Sequence, residues 1–250
     1  MLLSKKIIIC FLFIPFSITS VFAEDFSTTN IQLLYGTHFD DFYAGNNTLN
    51  GNMTTVTFEH FGTWKYGDNF FFADLTSGDF LDFENQPSGI QYMGYFEWSP
   101  RLSIPQILNK EFNMGIVSNF YLAGEFSRAH GFYADLFGIG LDLTIPLFNA
   151  FSLNLFHRED SFNRDQFQAT FVWAAPFKIK GLNCNFTGYT DIATTELDGT
   201  DIFAQPQLVI DLSSLTKNII PGLEAGVEWY YHRNDLVDVS LPQALLKWTW

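Results

Sequence analysis

The chain of 250 residues carries a formal net charge of −14, because 27 acidic residues outnumber 13 basic ones. This balance excludes a nucleic-acid partner, since few cations are present to neutralise phosphates. Aromatic residues make up 18 % of the chain and charged residues only 16 %, against roughly 25 % charged residues in soluble domains. The composition excludes an acidic disordered chain and indicates a protein with much apolar surface.

The first 23 residues have the pattern of a secretory signal peptide. Lys5 and Lys6 precede the short apolar stretch Ile7–Ile14, and Val21–Ala23 fits a small-x-small cleavage site. The apolar stretch is too short to span a bilayer comfortably. We therefore expect a cleaved signal peptide at residues 1–23 and one domain over residues 24–250. Cys184 is then the one cysteine of the exported part, which excludes a disulfide framework.

The exported part alternates apolar and polar residues with a period of two, in runs of about ten residues. After Ala23 no apolar run reaches 18 residues, so no transmembrane helix is predicted. The alternation predicts about twelve strands. In chain order they are 31–36, 54–64, 70–75, 91–99, 116–126, 133–145, 151–158, 166–175, 183–191, 205–212, 223–232 and 243–250.

The two faces of these predicted strands differ in chemistry. One is nearly free of charge and rich in Phe, Leu, Ile and Trp, whereas the other carries Gln, Asn, Thr, Gly and isolated charges. A barrel in lipid requires this inside-out arrangement, and a soluble core would leave many of the polar residues unsatisfied. Aromatic residues near the ends of runs are candidates for the membrane interfaces: Trp64, Trp98, Trp229, Tyr231, Trp248 and Trp250. The sequence predicts an all-β protein, a transmembrane antiparallel β-barrel of about 12 strands in the outer membrane of a Gram-negative bacterium.

An even number of strands places both termini on one side, which we take as periplasmic. The outer loops are then predicted at 37–52, 76–88, 127–132, 159–165, 192–201 and 233–240, and they carry most of the loop acids. The opposite turns hold most of the cations: Lys65, Arg101, Lys110, Lys178, Lys180 and Lys217. In this topology Pro100 and Arg101 lie in a periplasmic turn, where Arg101 is expected to bind a strand carboxylate.

Several segments carry a family resemblance. Trp64–Asp74 (WKYGDNFFFAD), Glu97–Ser103 (EWSPRLS) and the aromatic end Lys247–Trp250 (KWTW) resemble the nucleoside-specific channel-forming porins, the Tsx-like or OmpK-like family. Gly138–Phe148 and Ala204–Leu212 are similar to later strands of that family. The resemblance implies a narrow monomeric channel through which nucleosides diffuse, without a cofactor. It also implies contact with outer-membrane lipid and lipopolysaccharide, and recognition of Trp250 by the barrel-assembly machinery.

The alternation also selects side chains for the lumen. Aromatic rings can stack on a base, and carboxylates and amides can accept hydrogen bonds from ribose hydroxyls. Acids outnumber the bases Arg158 and Lys247 on this face, so the pore should disfavour anions, including nucleotides. The predicted lining residues are Glu59, Phe61, Phe70, Phe72, Asp74, Tyr95, Glu97, Tyr121, Asp142, Arg158, Tyr189, Asp191, Gln207, Asp211 and Glu228.

The residues leave other functions open. A closed structural or adhesive barrel, or a phage receptor, would show the same alternation, as would a generic diffusion porin. A barrel phospholipase or protease would need a nucleophile, a base and an orienting group. His157–Ser161 is the one suggestive cluster, but adjacent residues on a strand point to opposite faces. We therefore predict a protein that is not an enzyme.

Overall fold

The computed structural model describes residues 24–39, 51–78, 92–110, 112, 114–195, 199–213 and 219–250. The predicted signal peptide and large parts of the outer loops predicted at 37–52 and 76–88 lie outside these residues. None of the helices in the described ranges is long and apolar enough to cross a membrane. The elements are β1 (Glu24–Phe39), β2 (Gly51–Trp64), β3 (Gly67–Gly78), β4 (Met93–Ser103), α1 (Ile104–Ile107), β5 (Val117–Ala129), β6 (Phe132–Leu143), β7 (Ala150–Asp160), β8 (Gln166–Ile179), β9 (Leu182–Thr194), β10 (Thr200–Ala204), β11 (Gln207–Asp211), β12 (Leu223–Arg233) and β13 (Asp238–Thr249).

The strands close into a ring. Each of β2 to β9 pairs antiparallel with its neighbours in the chain, and β1 pairs with both β2 and β13. β10 and β11 both lie between β9 and β12 and keep one register, as the pairs Phe203–Asp191 and Gln207–Thr187 show. They are therefore one strand, interrupted at Pro206, which has no N–H to donate. Over the described residues the predicted barrel of 12 strand positions is confirmed.

Gly188 allows β9 to lie very close to the backbone of Gln205 and Pro206 at this interruption. A Cβ atom at Gly188 would lie 2.7 Å from the carbonyl oxygen of Gln205 and 2.7 Å from the Cα atom of Pro206. Real Cβ atoms do not approach backbone so closely. Only glycine fits on β9 opposite the interruption, so this residue is needed for the closed ring.

Contacts between strands that are not neighbours identify the concave face. The Gln168 amide on β8 donates to Glu125 on β5 over 3.4 Å, and the Gln207 amide on β11 donates to Gln32 on β1 over 2.8 Å. Such contacts can form only across the interior of a ring. The interior face is therefore the polar one, and the alternate residues form an apolar outer wall. Its exposed side chains include Phe58, Phe96, Trp98, Phe137, Leu155, Phe167, Leu208 and Trp229.

The assignment of Arg101 to a periplasmic turn is wrong. Arg101 lies inside β4 and pairs with Asp68 of β3, although Pro100 precedes it. Pro100 interrupts the pairing of β4 with β5 instead. In that pairing Trp98 and Arg101 have partners, but the two residues between them do not. Because a missing N–H affects only one of the two ladders, the strand continues through the proline. Arg101 does contact a carboxylate, as expected, but it does so from a strand of the barrel and not from a turn.

The aromatic residues are also less confined to strand ends than expected. Trp64 ends β2, and Trp248 and Trp250 lie at the end of β13. Trp98 and Trp229, in contrast, lie near the middle of β4 and β12. For Trp98 the reason is that β4 extends four residues beyond the predicted end at Ser99, so that a residue predicted near a run end becomes central. The bounds of β12 match the predicted run to within one residue, and Trp229 lies inside both.

Candidate channel lining

The register places every predicted lining residue on the concave face. The cross-strand pairs link these residues to one another or to residues that make contacts across the interior. The pairing of each strand with its two neighbours therefore fixes the position of these residues. The set comprises Glu59, Phe61, Phe70, Phe72, Asp74, Tyr95, Glu97, Tyr121, Asp142, Arg158, Tyr189, Asp191, Gln207, Asp211 and Glu228.

One wall of the interior carries a row of rings, which we call the aromatic row: Phe61, Phe70, Phe72 and Tyr95. Phe61 and Phe70 are cross-strand partners on β2 and β3. Ring centroids lie 5.9 Å apart for Phe70 and Phe72 and 5.6 Å apart for Phe72 and Tyr95. All four side chains are half-buried, so they form a wall that still presents apolar faces to the interior.

A second group of rings, the aromatic cluster, starts on the opposite wall with Tyr189 on β9 and Phe203 on β10, and it continues through Tyr230 on β12 to Phe39 on β1. Centroids of Phe203 lie 6.0 Å from Tyr189 and 5.3 Å from Tyr230, and Phe39 lies 5.4 Å from Tyr230. Tyr189 on β9 and Tyr95 on β4 are five strand positions apart in the ring, and the register places both on the concave face. These two rings therefore lie on opposite sides of the interior.

Three carboxylates, the acidic cluster of Glu97, Glu125 and Asp191, lie between these walls. Glu97 accepts hydrogen bonds from the Tyr95 hydroxyl (2.9 Å) and the Ser99 hydroxyl (3.3 Å). Asp191 accepts from the Thr170 hydroxyl at 2.6 Å. Glu125 accepts from the Gln168 amide at 3.4 Å, and the three carboxyl groups belong to β4, β5 and β9. The acidic cluster therefore spans the interior rather than following one strand.

Arg158 is the cation that belongs to this acidic region. Its Nη1 donates to Gln168 over 2.6 Å and its Nε donates to Asp160 over 3.0 Å. The positive charge also interacts with Glu125 and Asp191. Asp160 is held in turn by the backbone N–H groups of Phe162 and Asn163, each at 2.8 Å. The guanidinium is thus fixed by the end of β7 and by β8, and it partly offsets the negative field.

Glu228 is the centre of a buried amide network, the glutamine belt, which consists of Gln32, Gln205, Gln207 and Gln243. The carboxylate is 4 % exposed and accepts three amide N–H groups, from Gln205 (3.0 Å), Gln207 (2.8 Å) and Gln243 (3.0 Å). The belt continues from Gln207 to Gln32, whose amide donates to Glu59 over 3.2 Å. The glutamine belt therefore connects the last strands of the barrel, β10 through β13, with β1 and β2.

Arg101 forms a second buried network on the other wall. Its Nε and Nη2 donate to the two oxygens of Asp68 at 2.8 and 2.7 Å, and its Nη1 donates to Asp142 at 3.0 Å. The guanidinium also stacks on the Tyr121 ring at 4.2 Å, and the Tyr121 hydroxyl donates to Asp142 at 2.6 Å. A Cβ atom at Gly140 would lie 2.5 Å from Asn154 Oδ1, so Gly140 leaves room for the Asn154 amide beside this network.

The lining residues differ in accessibility. Tyr121, Gln207 and Glu228 are buried beneath their hydrogen-bond partners, whereas the aromatic row and Glu97 are half-buried and reach the interior space. Asp211 lies at the strand end and accepts from the backbone N–H of Ser213 at 2.7 Å. Sequence reasoning missed important members of both networks. They are Gln32, Asp68, Arg101, Gln205 and Gln243, together with Asn30, whose amide donates to Glu59 at 2.7 Å and accepts from Gln32 at 3.0 Å.

The suggestive cluster at His157–Ser161 does not assemble as a catalytic group. His157 lies on the outer face, where Nε2 is 3.3 Å from Asp165 and the ring contacts Phe167. The Ser161 hydroxyl instead binds the backbone of Tyr133, accepting from its N–H at 2.8 Å. Since the hydroxyl and the imidazole have different partners, they form no nucleophile–base pair.

A closed antiparallel barrel with an apolar outer wall and a polar interior is the architecture of channel-forming proteins of the Gram-negative outer membrane. A family model described as "Nucleoside-specific channel-forming protein, Tsx" matches residues 37–227, and the chain belongs to this family. It is thus an outer-membrane channel barrel.

Two further comparisons concern individual proteins. The comparison with curated proteins found no match. Among solved structures, the chain is similar to a KdgM porin in complex with disordered oligogalacturonate, with a TM-score of 0.46 and 8 % sequence identity. That alignment covers 88 % of this chain and 98 % of the porin chain.

Proposed function

We propose that this channel carries nucleosides across the outer membrane by diffusion, without an energy source. The observation that carries the proposal is the pair of aromatic groups on opposite walls with the acidic cluster between them. The aromatic row and Tyr189 offer ring faces, and Glu97 and Asp191 offer acceptors within the same narrow passage. The description of the family supports the same class of substrate.

A nucleoside matches this surface in each of its parts. Stacking of a base on an aromatic side chain contributes about 1–3 kcal/mol. Ribose hydroxyls donate to carboxylates, and hydrogen bonds to charged groups are the stronger ones. Several weak positions along a passage favour conduction, because a solute must bind well enough to enter and weakly enough to leave. The excess of carboxylates repels a phosphate, so nucleotides should pass more slowly.

Uptake into liposomes that contain the purified barrel tests this proposal. We expect radiolabelled thymidine to enter faster than a sugar of similar size, and faster than thymidine monophosphate. Equal rates for thymidine and the sugar would reject nucleoside transport and leave a generic diffusion porin. No uptake of any solute would instead support a closed structural or adhesive barrel.

Adjacent phenylalanines provide a matched pair of variants. Phe72 belongs to the aromatic row, whereas Phe71 lies on the outer wall, where its ring contacts Phe58 and Phe96. Phe72→Leu should slow thymidine entry severalfold while sugar entry stays the same, because a stacking face is lost. Phe71→Leu removes the same ring from the same strand and should leave both rates unchanged. Equal effects of the two substitutions would contradict the role of the row.

We further propose that the channel acts as a monomer and contacts lipopolysaccharide through its outer surface. The C-terminal Trp250 is exposed, and its backbone pairs with Thr29 on β1 (2.9 Å and 3.2 Å). Its ring lies 5.1 Å from that of Trp248. We propose that the barrel-assembly machinery recognises this exposed aromatic end, which lies where β1 pairs with β13 to close the ring.

A further inference from the structure

Glu125 is a buried carboxylate of the interior that has few partners. It lies on the concave face of β5 and is 7 % exposed. Its Oε1 accepts one long hydrogen bond, from the Gln168 amide at 3.4 Å, and within the described residues no hydrogen bond reaches Oε2. Glu228 is buried to a similar degree but accepts three amide N–H groups. Because buried charges in proteins are paired or hydrogen-bonded, Glu125 lacks the partners that a buried carboxylate requires.

The surroundings of Glu125 are apolar on one side. Its cross-strand partner on β6, Leu136, is fully buried. Ala123, Ala134 and Phe156 pack with Leu136 in one apolar cluster on the concave face. An unpaired carboxylate in such surroundings is costly, and a cation beside it is attracted more strongly than it is in water.

The positive charge of Arg158 already has a partner of its own. The guanidinium forms an ion pair with Asp160, in which Nε lies 3.0 Å from Oδ2, and its Nη1 donates to Gln168 and not to a carboxylate. In the part of the chain that the structure describes, none of the three carboxylates of the acidic cluster forms an ion pair. The acidic cluster therefore keeps negative charge that attracts a cation from solution.

Two tyrosine rings flank the acidic cluster. The Tyr95 hydroxyl donates to Glu97 at 2.9 Å, and Tyr189 lies two residues from Asp191 on the same face of β9. Both rings are half-buried and lie on opposite sides of the interior. An aromatic face attracts a cation, and an ammonium group donates three hydrogen bonds to acceptors such as carboxylates. The combination fits a cation that carries N–H donors and an aromatic body, because an inorganic ion has neither.

We propose that Glu125, together with Glu97 and Asp191, binds the ammonium group of small aromatic amines, which are a second class of solute besides nucleosides. The ammonium group supplies the charge and the N–H donor that Glu125 lacks. The ring of the amine packs against Tyr95 or Tyr189. An uncharged nucleoside cannot supply this charge, so the proposal concerns another solute and does not rest on nucleoside transport.

Equilibrium dialysis of the detergent-purified full chain with radiolabelled tyramine tests the proposal. Tyrosol is the matched neutral solute, because it has the same phenol ring and a hydroxyl in place of the ammonium group. A hydrogen bond to a charged group contributes about tenfold or more in affinity, so tyramine should bind more tightly than tyrosol by at least that factor. Equal affinities for the two solutes would overturn the proposal. Tyramine binding supports it whether or not thymidine binds in the same assay, so this proposal and nucleoside transport fail separately.

Two substitutions of similar shape locate the site. Glu125→Gln removes the charge, keeps the size of the side chain, and should lower the affinity for tyramine about tenfold without changing that for tyrosol. Glu224→Gln removes a carboxylate from the concave face of β12, opposite Lys247 on β13, and should leave the affinity for tyramine unchanged. Wild-type affinity in Glu125→Gln, or equal losses in both variants, would contradict the assignment of the ammonium group to Glu125. If Glu125→Gln does not assemble into a barrel, Asp191→Asn repeats the test from β9 with the same expected loss.

Discussion

Replacement of Arg101 by methionine should cost far more stability than the loss of an ordinary ion pair. The guanidinium is 13 % exposed, and it binds both oxygens of Asp68, whose side chain is 8 % exposed, as well as Asp142. Removing one partner of a buried charged network leaves uncompensated charge and costs about 3–5 kcal/mol. This cost of about 3–5 kcal/mol includes the lost stacking on Tyr121, because the same guanidinium makes the ion pairs and the stacking contact.

Equilibrium unfolding of the barrel in urea, from lipid vesicles, measures this cost. The pair Arg128–Asp135 is the matched control, because its side chains are 49 % and 35 % exposed and their shortest N–O distance is 2.6 Å. Exposed pairs contribute about 0–1 kcal/mol, so Arg128→Met, which also removes hydrogen bonds to the carbonyl oxygens of Ser127 and Ala134, should lower the free energy of unfolding by less than Arg101→Met does. If Arg101→Met costs no more than Arg128→Met, the network around Arg101 does not stabilise the barrel and this reasoning is refuted.

Three further predictions follow from particular side chains. Glu228→Gln gives the glutamine belt a surplus of donors and should cost about 1–3 kcal/mol in the same assay, whereas Glu224→Gln on the same strand, outside the belt, should cost less. Gly188→Ala should prevent or slow refolding, because its Cβ would meet the backbone at Pro206. Gly94→Ala should refold normally, because no atom lies within 4 Å of its Cβ position. Glu97→Gln should shift the reversal potential in a salt gradient toward zero, since a lumen carboxylate favours cations; an unchanged potential would contradict this.

The faces of the barrel could be predicted from the sequence, because the period of a strand is fixed by its geometry. In Gln166–Ala175 each polar residue is separated from the next by one apolar residue, and the structure places Gln168 inside and Phe167 outside. The same rule assigned Glu97 and Asp191 to one face without knowledge of where the strands meet. The alternation near Ile31 also indicates that Gln32 faces the interior, although Gln32 is not among the predicted lining residues.

The networks could not be predicted, because they depend on how the ring closes. Gln207 and Gln32 are 175 residues apart in the sequence, and their hydrogen bond requires the pairing of β1 with β13. Arg101 was misplaced because Pro100 is usually a turn signal. A proline that affects only one of the two ladders of a strand cannot be distinguished from a turn proline until the neighbouring strands are known.

Current through single barrels in a planar bilayer tests the central claim most directly. We expect the wild-type protein to conduct ions in steps, and thymidine to reduce the current in a dose-dependent manner because it occupies the passage between the two aromatic walls. Ribose at the same concentration should leave the current nearly unchanged, since it has no ring to stack. A barrel that does not conduct, or one that thymidine and ribose block equally, would contradict a channel selective for nucleosides.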